Sequence, residues 1–140
     1  MPRIPINISY MQVAYQFSKL SYAERRKVGC IIVKDHQVIS FGYNGMPHGF
    51  DNTCEIDNTT KPEVLHAESN AIMKVAKSTM SCEGAKLFTT TCPCFGCAKL
   101  IIQAGISKVY YTEDYRDMGG VELLQRAGII VEQVNAWNEH

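Results

Sequence analysis

Apolar residues first recur at helical spacing at Ile8, Met11, Val13, Ala14, Phe17 and Leu20, which predicts an amphipathic helix over 8–20. A polar stretch over 21–27 follows and reads as a loop. Val28-Gly29-Cys30-Ile31-Ile32-Val33 is an unbroken, β-branched run, the pattern of a strand buried on both faces. A turn at 34–37 and a second strand over 38–43 complete a predicted hairpin. Residues 44–62 are rich in Asn, Gly, Pro, Asp and Thr, a loop of 19 residues, and loops that long inside a compact domain are usually functional. Helical spacing returns from Glu63 to about Lys77 through Ala67, Ala71, Ile72, Val75 and Ala76. Strands are predicted over 86–91, 108–112 and 129–134, with helices from Cys94 to Gly105 and over 120–127 between them. After the hairpin, strands and helices alternate, which implies parallel pairing through right-handed crossovers. The expected architecture is an α/β fold, a three-layer α/β/α sandwich with a mixed five-stranded sheet, as one domain over 1–140.

Composition narrows the function classes. Fourteen basic residues balance 14 acidic ones, so the formal net charge is zero. A protein that tracks a phosphate backbone usually carries a basic excess, so no polymeric nucleic acid is expected as partner. A single small phosphate is easily accommodated, and Arg25 and Lys27, flanking Arg26 in the first loop, are candidates to hold it. A solvated loop face explains the same charges equally well. No apolar stretch reaches the roughly 18 residues of a membrane span. The N-terminal residues lack a basic region followed by an apolar core, so a cytoplasmic setting without a membrane partner is expected.

Three of the six cysteines crowd into Cys92, Cys94 and Cys97. That clustering favours a metal or redox motif over a disulfide framework. Cys94 and Cys97 are three residues apart at a helix start, where exposed N–H groups favour thiolates. His66, 28 residues earlier, starts the preceding helix, and a crossover brings the two helix starts together. His-Cys-Cys with one open position is the ligand count of a catalytic zinc site. Cys92, on the far side of Pro93, is expected to point elsewhere. Glu68, two residues after His66, is placed to shuttle protons without binding the ion. Alone, each feature has an ordinary reading: a CxxC is also a redox pair, and a helix-start Glu is usually solvated. Together, His66-Ala67-Glu68 and Pro93-Cys94-Phe95-Gly96-Cys97 match the H-x-E and P-C-x-x-C pattern of zinc deaminases.

On these motifs the chain resembles the cytidine/deoxycytidylate deaminase superfamily, and within it the deoxycytidylate branch of phage or bacterial type. The likeness runs from about Tyr10 to Val134 and includes Gly42-Tyr43-Asn44-Gly45-Met46-Pro47, His66-Ala67-Glu68-Ser69-Asn70-Ala71-Ile72 and Pro93-Cys94-Phe95-Gly96-Cys97-Ala98-Lys99. It implies a cytidine deaminase-like fold and hydrolysis of dCMP to dUMP and ammonia. One catalytic Zn2+ would sit on His66, Cys94 and Cys97, with Glu68 as general acid/base. It further implies that Asn44 meets the sugar and Tyr115 the substrate. It also implies a homo-hexamer, activated by dCTP and inhibited by dTTP through Gly45, Met46 and Pro47. The chain departs from the family at Cys30 and Cys92. Cys54 is the only soft ligand between the GYNGMP and H-A-E stretches, so a second, structural zinc is not expected. A tRNA adenosine or free-cytidine deaminase, or a non-catalytic zinc-binding regulatory protein, remains the alternative on the zinc motifs alone.

Overall fold

The computed structural model describes residues 3–137. Its elements are α1 (Ile6–Ser18), β1 (Gly29–Lys34), β2 (Gln37–Tyr43), β3 (Glu55–Ile56), β4 (Thr59–Thr60), α2 (Ala67–Ala76), β5 (Lys86–Thr91), α3 (Phe95–Ala104), β6 (Lys108–Glu113), α4 (Gly119–Arg126) and β7 (Ile130–Gln133). The main sheet has the order β2-β1-β5-β6-β7. β1 is antiparallel to both neighbours, whereas β5, β6 and β7 run parallel. The parallel pairing expected after the hairpin is thus found in β5, β6 and β7. The connection from β2 through α2 steps across β1, so β5 acquires the hairpin's first strand as an antiparallel neighbour.

Alternation along β1 explains the layers. Cys30 and Ile32 point into one core with Ala67, Ala71, Leu87, Ala98, Ile101 and Leu124, which come from the sheet and from α2, α3 and α4. Ile31 and Val33 point into the other, with Met11 and Ala14 of α1 and with Phe88 and Tyr110 of the sheet. A strand with apolar residues on both faces is what such a two-sided burial requires, and this is the three-layer sandwich expected from the sequence.

Three local differences from the expectations have physical causes. α1 starts at Ile6 because Pro5, at φ −54°, sits at the N-cap with its ring already set for the helix. α2 starts at Ala67, not Glu63, because Leu65 exchanges two backbone hydrogen bonds with Gly45 (2.8 and 3.1 Å) and stays extended. The 44–62 segment is not wholly irregular: Asp57 and Asn58, at φ 51° and 60°, make a tight turn that pairs β3 with β4.

Helix positions against the sheet are set by backbone contact. A Cβ at Gly42 on β2 would fall on the Ala67 carbonyl and the Ala71 nitrogen of α2. Ser40 Oγ donates to the Ala71 carbonyl (2.8 Å) and Asn70 Nδ2 donates to the Tyr43 carbonyl (2.8 Å), pinning the same helix. A Cβ at Gly120 of α4 would likewise fall on the Pro93 carbonyl and the Cys94 backbone.

Candidate active site and metal centre

His66 and Cys94 are the N-cap residues of α2 and α3, both with extended backbone (ψ 158° and 170°). The two helix starts converge at one end of the sheet. His66 Nδ1 lies 3.3 Å from Cys94 Sγ and 3.5 Å from Cys97 Sγ. The three donor atoms all fall within 4.8 Å of one another. Each sulfur also meets a backbone N–H from a first helical turn. Cys97 N donates to Cys94 Sγ at 3.4 Å, and Ser69 N–H supports Cys97 Sγ. Helix-start N–H groups and the dipole behind them stabilise thiolate.

The two sulfurs differ in protonation, and only Cys94 is held as the thiolate. Hydrogen bonds from the Cys97 thiol and from His66 hold the Cys94 thiol down to about 3. The Cys97 thiol, which donates to Cys94, is raised by that bond and by its burial. His66 is raised chiefly by its bond to Cys94. One imidazole and two sulfurs at this spacing suit zinc, and three ligands leave a coordination position open. Cys30, Cys54, Cys82 and Cys92, all buried, lie outside this cluster.

Glu68 lies in the first turn of α2 and is only 4% exposed. Burial pushes its carboxyl up to about 7, against the opposing pull of His66 and the Thr89 hydroxyl. It borders a cleft of about 430 Å³ together with His66 and Cys94. The cleft thus joins a buried carboxyl to the donor cluster, with open space for a small molecule.

Of the other residues singled out in the sequence, Arg25, Asn44 and Tyr115 line this cleft. Asn44 is also a brace: its Oδ1 accepts from Val28 N (2.9 Å) and its Nδ2 donates to the Arg26 carbonyl (2.8 Å). Lys27 is not in the cleft wall; its ammonium donates to the Ser21 carbonyl at 2.6 Å. Gly45 is taken up by its bridge to Leu65, and Pro47 opens a turn closed by Phe50 N. Met46 borders a second, shallower cavity of about 460 Å³ with Phe50, Ile56 and Lys61. Thr60 borders both cavities.

Among the cleft-wall residues that the sequence did not point to, Arg116 and Cys92 bear most on the chemistry. Arg116 joins Arg25 and Arg26, and among the described residues Glu68 is the only carboxylate in the lining, so the mouth is cationic. The Arg26 guanidinium sits 5.9 Å from the centre of the Tyr115 ring. Cys92, expected to point away from the metal ligands, does so but faces the cleft. Its sulfur accepts the Tyr115 N–H at 3.1 Å and so sets where the tyrosine stands. The adjacency of Arg116 to Tyr115 was the only sequence signal for the first. The second had none.

Comparison with known proteins agrees with this geometry. Residues 6–113 match the family model for the cytidine and deoxycytidylate deaminase zinc-binding region. The crystal structure of dCMP deaminase from the cyanophage S-TIM5 in complex with dCMP and dUMP is 45% identical, with a TM-score of 0.91, covering 96% of this chain and 100% of that one. ComE operon protein 2 of Bacillus subtilis is 39% identical over 96% of this chain and 74% of its own length. The deoxycytidylate deaminase of Saccharomyces cerevisiae is 34% identical over 93% of this chain, which spans 45% of that protein.

Proposed function

Because this chain belongs to the cytidine and deoxycytidylate deaminase zinc-binding family, we propose that it hydrolyses dCMP to dUMP and ammonia, as one deaminase domain over residues 1–140. The observation that carries the reading is a single cleft that joins a buried Glu68, a His-Cys-Cys donor cluster and a mouth lined by three arginines. His66, Cys94 and Cys97 would hold zinc, which would supply a nucleophilic water at neutral pH. Glu68 takes a proton from the water that adds to C4 of the cytosine and gives it to ring N3. It then moves the proton of the new C4 hydroxyl to the amine, the C4–N4 bond breaks, and ammonia leaves. A carboxyl poised near 7 can both accept and release a proton at working pH. Asn44 and Tyr115 contact the sugar and base from the cleft wall.

Arg25, Arg26 and Arg116 hold the 5′-phosphate, since guanidinium forks bind phosphate well and among the described residues no carboxylate lines the mouth beside them. Lys27, turned to the Ser21 carbonyl, braces the loop that carries two of them. dCTP as activator and dTTP as inhibitor act through the Gly45, Met46 and Pro47 segment. Support for this comes from Met46 in the wall of the second cavity and from Thr60, which that cavity shares with the cleft. Homo-hexameric assembly rests on the family likeness. No described helix is long and apolar enough to cross a membrane, and the proposed nucleotide chemistry belongs to the cytoplasm.

The deciding assay is ammonia release from dCMP, deoxycytidine and cytidine, each with and without dCTP or dTTP, on protein whose mass is read by light scattering. dCMP should be the preferred substrate. Arg26→Ala should raise its KM about tenfold, the loss of roughly one charge-assisted contact, and leave deoxycytidine unchanged. Equal turnover of dCMP and cytidine would overturn the monophosphate reading.

A further inference from the structure

The loop between α1 and β1 carries Arg25 and Arg26 to the cleft without any regular structure of its own. It is tied down in three places. Asn44 holds the backbone at Arg26 and Val28. Ser21 holds Ala23 N (3.1 Å) and, through its carbonyl, Lys27. The third tie comes from the β3–β4 hairpin and has no part in the chemistry described so far. Glu55 Oε2 accepts two successive backbone N–H groups, from Glu24 at 3.0 Å and Arg25 at 3.2 Å. Two consecutive N–H groups converging on one carboxylate oxygen form a small anion nest, here filled by a side chain.

The same hairpin also reaches the other end of Arg25. Arg25 Nη1 donates to Thr60 Oγ1 at 3.5 Å, and Thr60 is the direct partner of Glu55 in the β3–β4 register. The hairpin thus grips Arg25 by its backbone through one residue and by its guanidinium through the residue paired with it. We propose that Glu55 is a positioning residue for substrate recognition, which sets Arg25 in the cleft mouth to receive the 5′-phosphate. This rests on the phosphate reading given above.

The sign of its effect separates this role from simple electrostatics. A carboxylate near a phosphate subsite repels the ligand, so its removal should tighten anion binding. A carboxylate that holds an arginine loop in place does the reverse, and its removal loosens the ligand. The test is calorimetric binding of the product dUMP and of deoxyuridine, which lacks only the phosphate, to the zinc-loaded protein. Glu55→Ala should weaken dUMP about tenfold and leave deoxyuridine unchanged. Glu55→Gln loses the same charge but keeps an oxygen for the two N–H groups, and should stay within about threefold of the parent. Arg25→Ala should weaken dUMP alone. Should Arg25→Ala leave dUMP unaffected, the phosphate role of Arg25 falls and that of Glu55 falls with it. Where Arg25→Ala weakens dUMP, three results overturn the Glu55 assignment alone. These are a Glu55→Ala variant that binds dUMP as well as or better than the parent, equal weakening of both ligands, and a Gln variant as impaired as the Ala variant.

Discussion

Glu68→Gln is expected to lower kcat for dCMP by about three orders of magnitude with zinc still bound at about one ion per chain. The side chain is not one of the three clustered donors, so metal content should not follow it. Its amide replacement has the same shape and cannot carry a proton between water, ring and amine. Stability should be preserved or slightly improved, because the change removes an acid from an almost completely buried position. Metal analysis beside steady-state kinetics on the same preparation separates the two effects. Turnover within tenfold of the parent would place the proton carrier on another residue.

The second large effect is at the metal. Cys97→Ala should reduce zinc from about one ion per chain to below about a tenth and take turnover to background. Cys97 is the buried member of the trio and touches His66 and Cys94 alike, so its loss leaves two donors, one of them exposed. Unfolding temperature should fall, since an ion that binds only the folded chain stabilises it. The parent treated with chelator should show the same fall. Combined with Glu68→Gln, the loss of rate should not exceed that of Cys97→Ala alone, because the proton carrier and the ion act on one water. Full zinc occupancy in the Cys97→Ala protein would remove Cys97 from the ligand set.

The convergence of His66, Cys94 and Cys97, with Glu68 in the adjoining cleft, could be read from the chain because zinc chemistry constrains both residue type and spacing. A histidine at one helix start and a CxxC at the next have few other reasons to coincide with a glutamate two residues on. The β1 pattern was equally plain, since Ile31 and Cys30 each have a full apolar face to fill, whereas α1 runs two residues earlier at both ends than its periodicity indicated and leaves Val13 and Leu20 exposed. The mouth of the cleft was harder. Arg25, Arg26 and Lys27 are alike in sequence, and only the Ser21 carbonyl decides that Lys27 turns away. Arg116 comes from the turn after β6, 90 residues and more from the other two, and no local pattern links them. The β3–β4 pairing escaped because two-residue strands carry no measurable alternation; the Asp57-Asn58 turn was its one signal. The late start of α2 depends on Gly45 pairing with Leu65, a long-range contact invisible to helical periodicity.

All three metal donors lie before the end of the family match at residue 113, yet the turn that carries two of them rests on α4, which begins only at Gly119. Gly120 presses against the Pro93 carbonyl and the Cys94 backbone, and Leu124 anchors the same helix in the core beside Ile101. The helix acts as an abutment behind the ligand turn, and its clearance is the width of one missing methyl group. Gly120→Ala should therefore hasten transfer of zinc to a competing chromophoric chelator by about tenfold, the scale of lost support around metal ligands, from a residue with no side chain to offer the ion.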